Sequence, residues 1–323
     1  MSEKKLKFNW NLLNKIGPVI AMLLVFIFFA SLNSKIMTFN AIESMILQTV
    51  IVAVSAIGMT LVIILGGIDL SAGSIISFGS VVVALCMEAF HFSPLPAALC
   101  GVLAGLACGL FNGVLITRLK LVPFIVTLGA LLIVRGLAKG ISNSIPINAG
   151  QTWLSNLLAT LPEGQKWQLI PPGAWLMIIL ALLISAMLRY TPLGRHIFAI
   201  GSNEQTARLC GVAVERVKII VYSLAGAFSG LSGLMLLSYQ EQGDPTGAVG
   251  MELDVIAAVV IGGGSLNGGE GSIIGSLIGA MIMTVIRTGC QLNGWPPWVT
   301  QIVTGAVIVI AVAVDQLRHR QTA

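Results

Sequence analysis

The stretch TPLGRHIFAIGSNEQTARLCGVAVERVK, residues 191–218, is a polar island between two long apolar runs, and its reading decides how the chain is laid out. It carries Arg195, Arg208, Arg216 and Lys218, with Arg189 just upstream. Pro192 and Gly194 are expected to end the preceding apolar run, because proline cannot continue a helix and glycine tolerates the turn. Ser202 has the placement of an N-cap: Gln205 follows at capping-box spacing, and Glu204 falls in the first turn, where the helix dipole favours an anion. Gly211 reads as the C′ stop. The resulting helix has about eight residues and is roughly 12 Å long, far short of the roughly 30 Å needed to cross a bilayer. It is either a solvated connection that reverses the chain or a surface helix offered to a soluble partner.

Outward from this island the chain is greasy. Of 323 residues, 56% are apolar and only 10% charged, with a mean hydropathy of +0.94. That balance excludes a soluble globular domain and predicts an all-α integral membrane protein. The five cysteines, at 86, 100, 108, 210 and 290, form no CxxC pair, and with three histidines they offer no metal-ligand spacing. No GxxxxGK[ST] phosphate loop, HExxH or GxSxG is present, so the chain is expected neither to hydrolyse ATP itself nor to be an enzyme, and to bind no cofactor or metal.

Ten apolar stretches are predicted, at approximately 17–32, 44–66, 70–90, 94–116, 122–141, 172–188, 218–238, 255–263, 272–288 and 298–314. An even number puts both termini on one side. With the termini inside, thirteen Lys and Arg residues fall in cytoplasmic segments and five (Lys35, Arg135, Lys139, Lys166, Arg287) at the outer side. The excess of positive charge inside orients the protein, places residues 191–218 in the cytoplasm, and accounts for the net charge of +5 without nucleic acid. This gives a cytoplasmic tail at 1–16, a polytopic domain at 17–314 and a second cytoplasmic tail at 315–323. The basic tail before the first stretch lacks a clear A-x-A site, so an uncleaved first span is expected.

Two interruptions of the apolar pattern are alike: LGGIDLSAGSII at 65–76 and IGGGSLNGGEGSII at 261–274. Paired glycine-broken segments point to a transport pathway built on internal repeats, although the abundance of glycine leaves chance similarity open. Gly66, Gly67, Asp69 and Ser71 in the first, and Gly262, Gly263 and Glu270 in the second, are the candidate pathway or gate residues. Asp69 either caps the following helix or serves the solute path, since ionisable groups at membrane depth are costly. Glu270 has the same two readings. Polar, uncharged residues in the spans, such as Gln48, Ser55, Thr60, Asn112 and Thr127, either line a path for a neutral hydroxylated solute or bond neighbouring helices. On the outer side, 142–171 is the largest loop. The segment 239–254 gathers Glu241, Asp244, Glu252 and Asp254, either as a wetted loop or as a docking surface for a soluble binding protein.

Several motifs in register resemble the ribose-type, simple-sugar branch of ABC importer permeases. They are Leu193-Gly194-Arg195, Ala199-Ile200-Gly201-Ser202-Asn203-Glu204 with Ala207, Gly211-Val212 and Lys218; Gly58-Met59-Thr60-Leu61-Val62-Ile63 with Gly67-Ile68-Asp69-Leu70-Ser71; Pro123-Phe124-Ile125-Val126-Thr127-Leu128-Gly129 with Arg135-Gly136; and Glu252-Leu253-Asp254-Val255-Ile256-Ala257. Ser202 and Thr206 depart from the Gly and Ala usual in that family. The resemblance implies a multi-pass permease subunit in a bacterial cytoplasmic membrane. It further implies that residues 191–218, with Asn203, Glu204, Ala207, Arg208 and Gly211 foremost, form the coupling loop that enters a groove on an ABC ATPase. The implied partners are that ATPase, which holds ATP and Mg, an external sugar-binding protein, and a second permease chain, identical or paralogous. The competing expectation is an ion-coupled secondary transporter or channel for a small neutral solute. Reversing the charge of Glu204, or placing a bulky residue at Gly211, is predicted to abolish transport while leaving membrane insertion intact. Normal uptake by both variants would remove the coupling assignment.

Overall fold

In the computed structural model, residues 10–160 and 170–320 are described. They form twelve α-helices: α1 (Trp10–Leu32), α2 (Phe39–Ile64), α3 (Ala72–Glu88), α4 (Pro94–Arg118), α5 (Pro123–Ile141), α6 (Pro172–Tyr190), α7 (Pro192–Ser202), α8 (Glu204–Leu209), α9 (Val214–Gln240), α10 (Met251–Ile261), α11 (Ile273–Leu292) and α12 (Pro297–Arg320). Proline opens α4, α5, α6, α7 and α12, the position where its missing N–H has no partner to lose and its fixed φ suits the helix.

Each of the ten apolar stretches corresponds to a helix, the two extra helices being α7 and α8. Six helices (α2, α4, α5, α6, α9 and α11) are long and apolar enough to cross a membrane. The apolar part of α1, α3, and 297–313 of α12 are shorter, and α10 has only eleven residues, about 16 Å at 1.5 Å per residue. The expected tail boundaries do not coincide with helix ends. α1 begins at Trp10 and α12 continues to Arg320, with Asp315 buried and accepting from Ser265 Oγ at 3.2 Å. Residues 1–9, 161–169 (with Lys166 and Trp167) and 321–323 lie outside the described residues.

The bundle is built around α2, whose apolar window is 89% buried against 22–33% for those of α4, α5 and α6. A helix apolar on every side is one surrounded by protein. Polar residues pin it to its neighbours: Ser55 to Ser229 at 3.1 Å, Thr60 to Ser276 at 2.7 Å, and Ser232 to the Ile51 carbonyl at 2.6 Å. Asn112 Nδ2 likewise donates to Ser71 at 2.9 Å and Thr127 Oγ1 to the Ile68 carbonyl at 3.2 Å. Ser55 and Thr60 thus bond helix to helix, and Asn112 and Thr127 bond their helices to the break between α2 and α3.

Close backbone contact does the rest. Gly101, Gly105, Gly109 and Gly113 recur every fourth residue along α4: Gly105 and Gly109 face Gly226, Gly230 and the Tyr222 backbone of α9, Gly113 faces Ile219 of α9, and Gly101 faces Gly79 and Val83 of α3. A Cβ on Gly105 would meet the Gly226 carbonyl, and one on Gly109 the Tyr222 carbonyl, inside van der Waals contact. Small residues at four-residue spacing allow this approach, and between apolar helices in lipid such packing replaces the hydrophobic effect as the source of association. At the opposite end from α7 and α8, β1 (Ile147–Asn148) pairs antiparallel with β2 (Gln242–Gly243), Ile147 opposite Gly243. Leu158 N donates to Ser238 Oγ at 2.9 Å. The segments 142–171 and 239–254 are thereby tied to each other, a pairing with no local signal in the sequence.

Gly109→Val is predicted to lower thermal stability in detergent strongly, beyond the ~1–3 kcal/mol typical of overpacking, because the α9 backbone cannot yield as a side chain would. Gly129→Ala, at a position where a Cβ meets nothing within 4 Å, leaves the melting temperature unchanged or slightly raised.

Candidate functional site

The polar island folds as two helices rather than one. Thr191 caps α7, its Oγ1 accepting from Gly194 N at 3.3 Å and donating to the Met187 carbonyl at 2.7 Å. Pro192 therefore starts a helix, where the sequence pattern suggested only a stop. α7 runs on through Gly201 and Ser202, so Ser202 ends one helix instead of capping the next. The cap is Asn203, one residue later, whose Oδ1 accepts from Thr206 N at 2.8 Å; an amide oxygen serves that role as well as a hydroxyl. α8 then has six residues. Gly211 does take the C′ position, with φ of 84°, Gly211 N bonding the Arg208 carbonyl at 3.0 Å and Val212 N the Ala207 carbonyl at 3.1 Å, which is the Schellman pattern.

The residues expected to meet a partner mostly hold α8 in place. Ala207 is buried. Glu204 pairs with Lys218 at 2.7 Å and with Arg208 at 3.5 Å, and Arg208 pairs with Glu215. The hydrogen bond that Arg208 donates to Glu215, then the charge of Glu215, with Glu204 adding less, hold the Arg208 guanidinium above its ordinary pKa. The Glu204–Lys218 and Arg208–Glu215 pairs strap α8 to the start of α9, while Glu204–Arg208 lies within α8; exposed pairs of this kind are weak. The residue that stands out is Leu209, 89% exposed on the outer face of α8. Sequence reasoning passed over it, yet a signal was there. Two residues beyond the buried Ala207 is a rotation of about 200°, so an apolar side chain at 209 must point away from the protein.

The two glycine breaks are the same structure. After α2, Gly66 N bonds the Ile63 carbonyl and Gly67 N the Val62 carbonyl, both at 2.9 Å. After α10, Gly263 N bonds the Val260 carbonyl at 3.0 Å and Gly264 N the Val259 carbonyl at 2.8 Å. Gly66 and Gly263 both have left-handed φ, 83° and 91°, which glycine adopts without cost. The structural counterparts are thus Gly66 with Gly263 and Gly67 with Gly264; Gly262 is the residue before, still right-handed. The likeness ends there. Ser74 lies inside α3 and accepts from Arg135 Nε at 3.1 Å, whereas Ser272 caps α11 by accepting from Gly275 N at 3.3 Å.

Asp69 is buried and makes a local turn, its Oδ1 accepting from Ser71 N at 2.8 Å and from the Ser71 hydroxyl. It covers a free N–H just ahead of α3 rather than within its first turn. Beside this turn Asn112 Oδ1 and Tyr222 OH are buried without a hydrogen-bond partner, and a Cβ at Gly67 would press on the Tyr222 hydroxyl. Glu270 lies exposed at the surface, its carbonyl accepting from Ser265 N at 3.2 Å.

Both breaks meet the end of α7 at one point. Gly269 N donates to the Ile64 carbonyl at 2.8 Å. A Cβ on Gly201 would collide with that same carbonyl and lie 2.6 Å from Gly269 N, and a Cβ on Gly268 would lie 2.7 Å from the Gly201 carbonyl and 3.0 Å from Gly66 Cα. Backbone thus rests on backbone among α7, the first break and the second, with no side chain between to absorb a displacement.

The carboxylates expected on an outer docking face divide. Glu241 is exposed, in left-handed conformation at the end of α9. Asp244 accepts from Thr246 N and Oγ1 at 2.7 and 2.8 Å. Glu252 and Asp254 are buried, in the first turn of α10. Glu252 faces Arg135 at 3.8 Å and Asp254 is bonded by Arg287. They leave the surface because α10 enters the bundle at Met251, and their charge is met by the helix dipole and an arginine each. Among the described residues no group of three His, Cys, Asp or Glu gathers in a metal-ligating arrangement.

Residues 41–312 match the family described as "Branched-chain amino acid transport system / permease component". The chain is 38% identical to the ribose import permease protein RbsC of Escherichia coli (strain K12), over 93% of each chain. Identity to RbsC of Bacillus subtilis (strain 168) is also 38%, over 97% of this chain and 96% of that one. To the L-arabinose ABC transporter permease protein AraH of Azospirillum brasilense it is 36%, over 97% and 90%. No solved structure matches.

Gly201→Ala is predicted to prise α7 from Ile64 and Gly269, at ~1–3 kcal/mol of destabilisation. The variant inserts, binds its ATPase partner and supports ATP hydrolysis, while solute movement per ATP falls at least about tenfold. Undiminished transport per ATP would remove the junction from the coupling path.

Proposed function

The chain belongs to the permease-component family of branched-chain amino acid transport systems, and on that premise we propose that it is the membrane-spanning subunit of an ATP-driven importer for a monosaccharide. Relatives named for ribose and L-arabinose import, matched over nearly the full length, support a sugar as the solute. The observation that carries the reading is the seating of α7 on both glycine breaks, with Leu209 of α8 projecting from the other side.

In this reading Leu209 enters a groove on an ATPase subunit, with Gln205 and Thr206 beside it. ATP and Mg belong to that subunit. Closure of two ATPase subunits draws two α7–α8 units together, one from each of two permease chains. Each unit moves as a rigid body with the helices beside it, because Thr191 ties α7 to α6, Asn203 caps α8, and Glu204–Lys218 and Arg208–Glu215 tie α8 to α9. The displacement passes through the Gly201 contact into the end of α2 and into the second break between α10 and α11, and the path changes its open side. The ten apolar helices serve as ten membrane segments, broken or short at α3 and α10, with both termini in the cytoplasm of a bacterial inner membrane. An external binding protein presents the sugar at the opposite end, where Glu241 and Asp244 remain available to it.

The test is uptake of labelled D-ribose and L-arabinose into proteoliposomes holding this chain, its ATPase subunit and its binding protein, with ATP at the ATPase side. Uptake needing every component is expected; uptake by this chain alone, collapsed by a proton or sodium ionophore, would overturn the reading. Leu209→Asp lowers affinity for the ATPase subunit at least about tenfold, since an apolar anchor at an interface carries ~2 kcal/mol or more and 1.4 kcal/mol is a factor of ten.

A further inference from the structure

At the end of the bundle away from α7 and α8, a cavity of about 110 Å³ lies between α2, α9, α10 and α11. Six polar side chains line it: Gln48, Tyr239, Gln240, Asp254, Thr284 and Arg287; the remaining wall is mainly aliphatic and methionine. Gln48 is the one residue of the predicted polar lining that faces this space while bonding across it, its Nε2 lying 3.3 Å from Tyr239 OH.

Charge on the wall cancels, because Arg287 bonds Asp254, so the cavity favours a neutral occupant over an ion. Its donors and acceptors are those a hydroxylated molecule needs. Arg287 and Asp254 offer charged groups of both kinds, and Thr284, which donates to the Ala280 carbonyl at 3.0 Å, keeps lone pairs to accept. Gln240 Oε1 is buried with no hydrogen-bond partner, and it faces Gly247, where an added Cβ would stand 3.1 Å away. A buried amide oxygen without a donor is destabilising, and a hydroxyl entering the cavity would satisfy it. Methionine and aliphatic side chains opposite suit the C–H face of a sugar ring.

Size sets the mode of binding. An enclosed cavity of about 150 Å³ holds benzene, so 110 Å³ cannot enclose a whole monosaccharide. Tyr239 is 36% exposed and the Arg287 side chain 38%, however, so the cavity is open on their side. We propose that it is a shallow receiving site for the hydroxylated edge of a neutral monosaccharide, the rest of the ring staying at the opening. The site rests on the importer reading for its place in the cycle, since that reading puts this end outermost, where solute arrives. It also gives the permease a voice in which sugar is accepted.

Binding is tested without partners, on the full chain in nanodiscs, by saturation-transfer NMR with D-ribose and L-arabinose against empty nanodiscs. Saturable binding at millimolar sugar is expected, weakened at least tenfold by Gln240→Leu and by Thr284→Val, the second nearly isosteric and so a guard against misfolding. Absence of saturable binding to the unaltered chain, or binding that both variants leave unchanged, overturns the site. Component-dependent uptake without such binding would preserve the importer and remove the site; saturable, variant-sensitive binding without ATP-driven uptake would do the reverse.

Discussion

Helices in a bilayer gain nothing by hiding apolar side chains from lipid, so their association depends on how closely their backbones approach. That constraint governs this protein. The glycines of α4 lie on the glycines of α9, Gly58 of α2 lies on Ala225, and Gly262, just past α10, lies on Gly275 of α11. Where backbones touch, a displacement of one helix cannot be absorbed by a change of rotamer in the next. The bundle is stiff in the places where two helices share a glycine.

The contact at Gly201 extends the same device to the polar segment. There a helix too short to cross the membrane meets the end of α2 and the second glycine break, and the meeting is between a glycine, a carbonyl and a glycine N–H. A junction of this kind suits transmission of force better than an apolar side-chain cluster, which yields by repacking. The left-handed glycine at 66 turns the chain after α2 at this contact, and those at 268 and 269 shape the second break where it meets α7.

Charge is distributed to fit. Exposed ion pairs cluster on α8 and the start of α9, where water screens them. The buried carboxylates of α10 each meet an arginine from another helix, because an unpaired charge at that depth would be costly. Polar side chains of the spans are spent chiefly on tying helices together. Some buried polar atoms stay unpaired, among them Asn112 Oδ1 and Tyr222 OH beside the first break and Gln240 Oε1 at the cavity at the far end.

The positions of the ten apolar helices, the polar island and the stop at Gly211 were legible in the sequence, since hydropathy and glycine act locally. So was the kinship of the two glycine breaks, though only the hydrogen bonds show that Gly66 corresponds to Gly263 rather than Gly262. What the sequence could not settle depends on contacts between distant segments. Whether Glu252 and Asp254 face water turns on Arg135 and Arg287, far away in the chain. The meeting of Gly201, Ile64 and Gly269 is of the same kind: three residues ordinary in their own neighbourhoods, made into one junction only because the tertiary packing leaves no room between them for a side chain.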